Sequence, residues 1–415
     1  MVWGECVNFV VRTCGGAKAL ALADRLYLIK PFNMKTLTNL FLCLAIVASA
    51  LSAQAKPNKN KIAKNAAFET ELKAAIDSMN VVGLSIAVVK DNKIVYNNSY
   101  GVQDLETKVP CTNNTMYRIA SISKSFSGVA IMQLVEKGKL KLDTDINDIL
   151  DFVVRNPKYP DVPITVEMLL SHTSSLNDSE GYWVDLNCII PGKNPNYTKA
   201  YNDYKTGTGY EYCNLGFSLL GSIIERVSGE RFDLYAQRHI IEPLGLVASF
   251  NINEVPAKRI AKLYSWDGTK YNEENAYRPV NDLASYQLGV NSVTFSPAGG
   301  MKISAKELAK YMMMHMNYGK SPLAKERILT EESARCMQRE HAVGHSYGLA
   351  LEQTERFTRG EVMVGHTGGA YGLCSAMFFN PEQKHGLVMM CSGCNDASHV
   401  LNRIMPIMYK HFLKK

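Results

Sequence analysis

Apolar residues follow helix or strand spacing at both ends of the chain. Residues 66–79 have apolar side chains on one helical face, and residues 84–89 and 94–96 flank a polar turn, so a helix followed by a β-hairpin is predicted. A second apolar helix is predicted behind Ser121 and ends at Gly138. Toward the C-terminus, apolar runs predict four strands and a closing helix at residues 347–351, 363–365, 374–380, 386–391 and 397–412.

The middle of the chain has a different pattern. From about residue 150 to 310, helical patterns alternate with long loops rich in Tyr, Asn and Gly. These helical patterns cover residues 166–170, 217–227, 232–241 and 305–316. Sheet at both ends with helices between them predicts an α/β domain that is interrupted by an all-helical one.

Residues 34–55 have the pattern of a signal peptide. Basic Lys35 precedes 12 mostly apolar residues at 40–51, and small residues at Ala53 and Ala55 form a cleavage site. Export with cleavage after Ala55, to a periplasmic or secreted location, is therefore predicted. An uncleaved membrane anchor is the alternative, but the apolar run is too short to span a bilayer comfortably.

Residues 1–33 are interpreted as an over-extended translation start and residues 56–415 as the functional domain.

The composition of the chain is that of an ordinary globular protein. The 415 residues are 46% hydrophobic and 20% charged. Removing residues 1–55 leaves 41 basic against 37 acidic residues, a net charge of +4 with no basic block, which gives nucleic-acid binding no support. We expect a monomer with no stable membrane span after signal cleavage.

Seven cysteines remain after cleavage, and their odd number and irregular spacing form no disulfide framework. Cys391 and Cys394 could form a redox pair, a short disulfide or half a metal site. A second cysteine pair at metal-site spacing is missing from the sequence. Two small buried side chains are the favoured interpretation, and we expect no metal and no cofactor.

Ser121 and Lys124 form a Ser-x-x-Lys motif at the start of an apolar helix. If the helix begins at Ser121, Lys124 lies one turn later on the same face. Its amine can then act as the base of the Ser hydroxyl, provided that burial or a neighbour disfavours the charged form. About one or two such matches are expected by chance in a chain of this length, so the motif is weak on its own.

Tyr212 and Asn214 precede the helix predicted at residues 217–227. A phenol near a cationic Lys ionises more easily and can pass a proton to a leaving group. The Asn amide can hold the Lys and a substrate carbonyl. A second Tyr-x-Asn, at Tyr96, lies in a hairpin strand with no helix after it and is interpreted as a chance match.

His366, Thr367, Gly368 and Gly369 lie between two predicted strands. Glycines let a strand edge approach a ligand closely. A backbone N–H there, opposed to that of Ser121, would form an oxyanion hole. Taken alone, the segment is better explained as a glycine-rich hairpin turn with a structural His.

Together, and in this order, the three motifs resemble the Ser-x-x-Lys, Tyr-x-Asn and Lys/His-Thr-Gly set of the class C β-lactamase and penicillin-binding-protein superfamily. The resemblance covers roughly residues 66–412. It extends to residues 84–91, 117–121, 169–174, 212–221 and 297–300. It implies a β-lactamase/transpeptidase-like α/β fold, in which helices flank an antiparallel sheet and the all-helical domain is inserted.

The resemblance also implies a role for each residue of the first two motifs. Ser121 is the nucleophile and Lys124 its base. Tyr212 is the partner base and proton carrier, and Asn214 positions the substrate.

The third motif carries the departures from the family pattern. His366 and Thr367 replace the Lys-Thr pair that faces the substrate carboxylate, and the N–H of Gly369 completes the oxyanion hole with that of the nucleophile. A His is mostly neutral at pH 7, so a fixed positive charge is lost. Ser175 and Val82 stand where the family usually has Gly and Pro, which puts only local loop geometry in doubt.

These residues predict an exported serine hydrolase that acts through an acyl-enzyme on a D-alanyl peptide of the cell wall or a related small amide or ester. A true β-lactamase, an esterase and a penicillin-binding sensor without turnover are the alternatives. His172 suggests a Ser-His-Asp triad, but the chain has no Gly-x-Ser-x-Gly elbow, so a structural His that bonds backbone groups is favoured. Loop aromatics, among them Trp183, Tyr201 and Tyr210, either wall the cleft or cap the helical domain.

Overall fold

The computed structural model describes residues 59–281, 283–358 and 360–414, with side chains from residue 65 onward. The predicted start and signal peptide, residues 1–33 and 34–55, lie outside the described residues. The helices are α1 Lys59–Ser78, α2 Ser123–Glu136, α3 Val166–Leu170, α4 Asn214–Ser228, α5 Phe232–Ala236, α6 Ala305–Met316, α7 Glu331–Gln338 and α8 Ala397–Met408. The strands are β1 Gly83–Lys90, β2 Lys93–Gly101, β3 Met116–Arg118, β4 Ala248–Ser249, β5 Tyr264–Trp266, β6 Tyr271–Glu273, β7 Lys302–Ser304, β8 Glu352–Thr354, β9 Met363–Ala370, β10 Leu373–Asn380 and β11 His385–Cys391.

An antiparallel six-stranded sheet, in the order β2-β1-β11-β10-β9-β8, forms the centre of the fold. Helices cover both of its faces, so β1, β10 and β11 are buried along almost their whole length. Side chains alternate between the faces. Ile86 and Val88 pack with α1 and α8, whereas Ala87 and Val89 pack with α2, α4 and α6. The predicted α/β fold, with helices flanking an antiparallel sheet, is confirmed.

Most predicted elements at the two ends of the chain are also confirmed. The helix predicted at residues 66–79 lies within α1, apart from its last residue, and the strands predicted at 363–365, 374–380 and 386–391 lie within β9, β10 and β11. The predicted hairpin is β1–β2, and its turn places Asp91 and Asn92 in the left-handed region. Two such residues in succession give the turn that matches the twist of hairpin strands.

The strand predicted at residues 347–351 is wrong. Ser346 and Ala350 have φ of 51° and 61°, so the backbone bends here, and the strand begins only at Glu352. Gly348 also leaves no room for a side chain, because a Cβ would lie 2.3 Å from the Met337 carbonyl oxygen. The apolar run is buried as the prediction required, but as a tight loop.

The insertion predicted at 150–310 is not helical throughout. It contains α3, α4, α5 and the first half of α6, but β7 completes a small sheet with β3 and β4, and β5 pairs with β6. These strands are two or three residues long, too short for their apolar periodicity to stand out in the sequence. Among the described residues, no helix has the length and apolar character needed to cross a membrane.

Candidate active site

Ser121 lies in a tight turn between strand β3 and helix α2. Ala120, immediately before it, has φ of 46°, a conformation that costs energy for a residue with a Cβ. Residues Ala120–Ile122 form a 3₁₀ turn, and the α-helix begins at Ser123 rather than at Ser121. Ser121 therefore lies two residues before the first residue of the α-helix, whereas the motif suggested that the helix begins at Ser121.

Lys124 is fully buried beside the Ser121 hydroxyl. Its Nζ lies 3.0 Å from Ser121 Oγ, 2.6 Å from Asn214 Oδ1 and 2.9 Å from the Ala298 carbonyl oxygen. Burial lowers the pKa of Lys124 from 10.5 to about 7. A large fraction of the amine is therefore neutral near pH 7 and able to accept a proton.

Tyr212 lies on the other side of the Lys124 amine, with its ring centroid 4.9 Å from Nζ. Its buried hydroxyl has no hydrogen-bond partner among the described residues, although Ser121 is near enough to oppose part of the rise in its pKa. Burial raises the pKa of Tyr212 well above its usual value. The expectation that the Lys eases ionisation of this phenol is wrong, because desolvation outweighs it. Tyr212 is a neutral O–H group in the resting site.

Asp178 is a site residue that the motifs did not indicate. Its carboxylate accepts hydrogen bonds from the backbone N–H groups of Asn214 and Leu215 at the start of α4, at 3.1 and 2.9 Å, where the helix dipole favours a negative charge. It also accepts a hydrogen bond of 2.7 Å from Asn214 Nδ2. Asp178 thereby turns Oδ1 of Asn214 toward Lys124. It lies 36 residues before Asn214, so sequence spacing gives no signal for it.

The glycines of the third motif bring strand β9 against the Ser121 turn. A Cβ on Gly368 would lie 2.3 Å from the Ile119 carbonyl oxygen and 2.4 Å from Ser375 Oγ, so only glycine fits there. Gly369 is open to the cavity above Ser121. The structure thus brings the third motif to the first, as predicted.

A chain of hydrogen bonds fixes the protonation of His366. Nδ1 of His172 accepts a hydrogen bond from the Cys213 backbone N–H at 3.0 Å, so its Nε2–H donates to the Tyr347 hydroxyl at 3.2 Å. The Tyr347 O–H in turn donates to His366 Nε2 at 2.9 Å, and Nδ1–H of His366 donates to the Thr367 carbonyl oxygen at 2.5 Å. We assign these tautomers from the two backbone groups that end this series of hydrogen bonds, the Cys213 N–H and the Thr367 carbonyl oxygen.

His366 is therefore neutral, and hydrogen bonds at both of its ring nitrogens fix its position. Burial lowers its pKa to about 3, and both ring nitrogens bond protein groups. The expected loss of a fixed positive charge is confirmed. A free N–H toward the substrate is not found, because Tyr347 occupies Nε2. His172 bonds backbone, as its interpretation as a structural residue required.

These groups surround one cavity of about 290 Å³. It is lined by Ser121, Tyr210, Tyr212, Tyr347, Glu352, His366, Thr367 and Gly369. Tyr347 and Glu352 were not indicated by the motifs, because the strand predicted at 347–351 concealed the loop that presents them. A larger cavity, of about 720 Å³, borders α7 and contains no motif residue. Chemistry rather than size therefore identifies the site.

The loop aromatics have mixed positions. Tyr210 lines the cavity above Ser121, and Trp183 lines a neighbouring cavity of about 260 Å³ together with Arg118. Tyr201 is buried in the core. Some of these residues thus wall the cleft, and others stabilise the loops around it.

The two cysteines of the 391–394 pair are buried, as interpreted, but Cys374 joins them. The three sulfur atoms lie within 4.8 Å of one another in the core between the sheet and helices α1 and α8. Among the described residues, no fourth His, Cys, Asp or Glu completes this group, whereas structural zinc sites have four ligands. The cluster therefore lies on the opposite face of the sheet from helix α2, which carries Lys124.

Known proteins resemble this chain along most of its length. The β-lactamase family model matches residues 68–404. Protein flp of Staphylococcus aureus, strain MRSA252, is 26% identical over 78% of the chain, and the chain spans 62% of that protein's length. Penicillin-binding protein 4 of Amycolatopsis lactamdurans is 27% identical over 71% of this chain and 76% of its own.

A solved structure agrees with these relatives. The octameric penicillin-binding protein homologue from Pyrococcus abyssi superposes with a TM-score of 0.66 at 26% identity, covering 83% of this chain and 77% of its own. The chain thus has the β-lactamase/transpeptidase-like fold. The chain therefore belongs to the β-lactamase family of serine hydrolases.

Proposed function

We propose that this protein is an exported hydrolase that forms an acyl-enzyme on Ser121 with a D-alanyl peptide, a β-lactam or a related amide or ester. One observation supports this proposal most strongly. The Ser121 hydroxyl lies 3.0 Å from a fully buried Lys amine whose pKa is lowered to about 7. A neutral amine at that distance is the base that a Ser nucleophile needs.

In the acylation step, Ser121 Oγ forms a bond to the substrate carbonyl carbon while its proton passes to Lys124. The neutral Tyr212 hydroxyl then gives its proton to the leaving amine, alcohol or thiol as the scissile bond breaks, and Lys124 returns a proton to Tyr212. In deacylation, water attacks the acyl carbon by the same path in reverse and frees Ser121. Each cycle adds one water across the scissile bond and restores every protein proton.

The remaining motif residues hold the substrate. The backbone N–H groups of Ser121 and Gly369 stabilise the oxyanion. Asn214 positions Lys124 through Oδ1, and Asp178 fixes its amide through Nδ2. Thr367 and the neutral His366 form the wall beyond the scissile bond.

A panel of three reagents separates the candidate activities. A chromogenic cephalosporin, a p-nitrophenyl ester and a fluorescent penicillin are each incubated with the wild type and with Ser121→Ala. Turnover of the cephalosporin supports a β-lactamase, and turnover of the ester alone supports an esterase. A stable penicillin label without turnover supports a sensor. Release of D-alanine from purified peptidoglycan fragments, followed by mass spectrometry, supports a carboxypeptidase. No reaction with any reagent contradicts the proposal.

We also propose that residues 34–55 direct export and that the mature protein is a periplasmic or secreted monomer of residues 56–415 with an inserted segment at about 150–310. Lys56 would then be the first residue after cleavage. N-terminal sequencing of the product exported by a Gram-negative host tests this. A product that retains residues 1–33 contradicts both the cleavage and the over-extended start. Light scattering of the purified protein tests the prediction that it is a monomer.

A further inference from the structure

Glu352 brings a carboxylate into the cavity above Ser121. It begins strand β8, opposite Gly365 of strand β9, and its side chain lines the cavity beside Thr367. Its Oε1 accepts a hydrogen bond of 3.2 Å from the Thr367 backbone N–H, and the Thr367 hydroxyl lies 3.5 Å away. The carboxylate therefore has a fixed position on the wall formed by the third motif.

This carboxylate has no cationic partner among the described residues. Arg356 is the basic residue with an influence on it, but its guanidinium bonds Asn402 and Ser398 instead. The described lining of the cavity contains no Lys or Arg. Burial raises the pKa of Glu352, as expected for a carboxylate with little to balance its charge. A cation placed in the cavity would reverse that effect.

Among the described residues that line this wall, none carries a positive charge that would attract an anion. His366 is neutral, and both of its ring nitrogens are bonded within the protein. The amine of Lys124 is already surrounded by three acceptors, on Ser121, Asn214 and Ala298. A substrate carboxylate on this side would face Glu352 with no compensating charge.

We propose that Glu352 and Thr367 form a cation subsite on the leaving-group side of Ser121, which selects substrates whose leaving group carries an ammonium and disfavours those whose leaving group carries a carboxylate. This inference rests on the proposed function and narrows its substrate class away from β-lactams and D-alanyl peptides with a free carboxylate, toward amides and esters with a cationic leaving group. Opposite charges about 6 Å apart in a site of effective dielectric constant near 20 change a rate constant roughly a hundredfold. Screening by water in the open cavity reduces this, and we expect at least about a tenfold preference.

Three thioesters with one acyl group test the subsite. Their leaving thiols are thiocholine, which is cationic, 3-mercaptopropionamide, which is neutral, and 3-mercaptopropionate, which is anionic. Release of thiol is followed with a chromogenic disulfide. Wild type should show the highest kcat/KM for the thiocholine ester and the lowest for the 3-mercaptopropionate ester. Glu352→Gln should reduce the ratio of these two constants at least about tenfold, whereas Glu355→Gln, which changes an exposed carboxylate outside the cavity, should leave it unchanged.

Failure of the subsite and failure of the hydrolase give different results. Thiol release at equal rates from all three esters, or fastest release of 3-mercaptopropionate, overturns the subsite and leaves the hydrolase standing. If no ester is cleaved, thermal melting of Ser121→Ala with each intact thioester still reports binding. Greater stabilisation by the thiocholine ester supports the subsite, and equal stabilisation overturns it. If Glu352→Gln does not fold, the wild-type constants decide the question once each is divided by the rate of uncatalysed alkaline hydrolysis of the same ester, which removes the difference in thiol acidity.

Discussion

The catalytic half and the recognition half of the cavity are built in different ways. In the catalytic half, Ser121 and Lys124 lie three residues apart at the start of one helix, and Asn214 opens another. In the recognition half, Glu352 and His366 lie on adjacent strands, and Tyr347 joins His366 to His172, which lies 175 residues before Tyr347. The first half follows from short spacings along the chain. The second depends on contacts that only folding brings together.

The two halves also differ in how burial acts on charge. Burial lowers the pKa of Lys124 to about 7, so a large fraction of the amine is neutral near pH 7 and can act as a base. Glu352 is only half-buried, and one of its oxygens has no hydrogen-bond partner among the described residues, so its charge is directed into the cavity. One half is therefore prepared for proton transfer and the other for selecting a ligand by charge.

The largest effect is expected from Lys124→Met in the catalytic half. Loss of a positioned general base costs roughly 10²- to 10⁴-fold in rate, so acylation of Ser121 should slow by about 10³-fold. Met fills the buried space, but the Asn214 and Ala298 oxygens lose their donor, so we expect a folded variant that is less stable by about 1–3 kcal/mol. Stopped-flow acylation and a thermal melt measure the two quantities. Lys139→Met, at an exposed position just beyond the same helix, is the control. Near-wild-type acylation of Lys124→Met would mean that another group is the base.

The pH dependence gives the next largest effect. Because burial lowers the pKa of Lys124 to about 7, the amine loses its proton as the pH rises through 7. The acylation rate should therefore increase about tenfold per pH unit below 7 and level off above it. Single-turnover rates with an uncharged ester, measured from pH 5 to pH 9, test this. A midpoint near 10, the value for an exposed Lys, would contradict a neutral Lys124 in the resting enzyme.

Most of the catalytic half was therefore open to prediction from the sequence, whereas in the recognition half the sequence indicated His366 and Thr367 but not Tyr347 or Glu352. A Ser-x-x-Lys spacing at the start of an apolar helix has a direct geometric meaning, since residues three apart share a helix face. The apolar run at 347–351 predicted a strand, but left-handed residues on either side of Tyr347 make it a loop. Since that loop carries Tyr347 and presents Glu352, an error in local conformation concealed these two residues of the site.

The same contrast holds for the fold. Long strands buried on both faces, such as β10 and β11, have continuous apolar runs and were predicted. Strands β4 and β7 are two and three residues long and pair with segments that are distant in sequence, and β5 and β6 form a hairpin of only three residues each. The pairing of Asp178 with the start of α4 is likewise set by tertiary contact.

A smaller effect is expected from His366 in the recognition half. His366→Lys should increase kcat/KM for carboxylate-bearing substrates relative to uncharged esters about tenfold, since a gain of ~1.4 kcal/mol changes a rate that much. His366→Ala should retain measurable esterase activity but cost about 1–3 kcal/mol of stability, because the buried Tyr347 hydroxyl loses its acceptor. The ratio of cephalosporin to ester turnover at pH 6 and pH 8, with exposed His399→Ala as control, measures this. Equal loss of every activity in His366→Ala would place His366 on the proton path instead.

The smallest effect is expected from a chelator. The proposed mechanism uses only protein groups, and the cluster of Cys374, Cys391 and Cys394 lies on the face of the sheet away from Ser121. Dialysis against a chelator should leave ester turnover within error of the untreated enzyme. Turnover that is lost on dialysis and restored by zinc would refute the metal-free mechanism.

Covalent modification of Ser121 tests the central claim most directly. Wild type and Ser121→Ala are mixed briefly with an activated ester and with a penicillin, quenched in acid, and examined by intact-protein mass spectrometry and peptide mapping. Ala is a good helix former, so the variant should keep its fold. We expect one acyl group per wild-type molecule, mapped to the peptide that contains Ser121, and none on the variant. An acyl group that persists on Ser121→Ala and maps to Ser123 or Ser218 would contradict the assignment of the nucleophile.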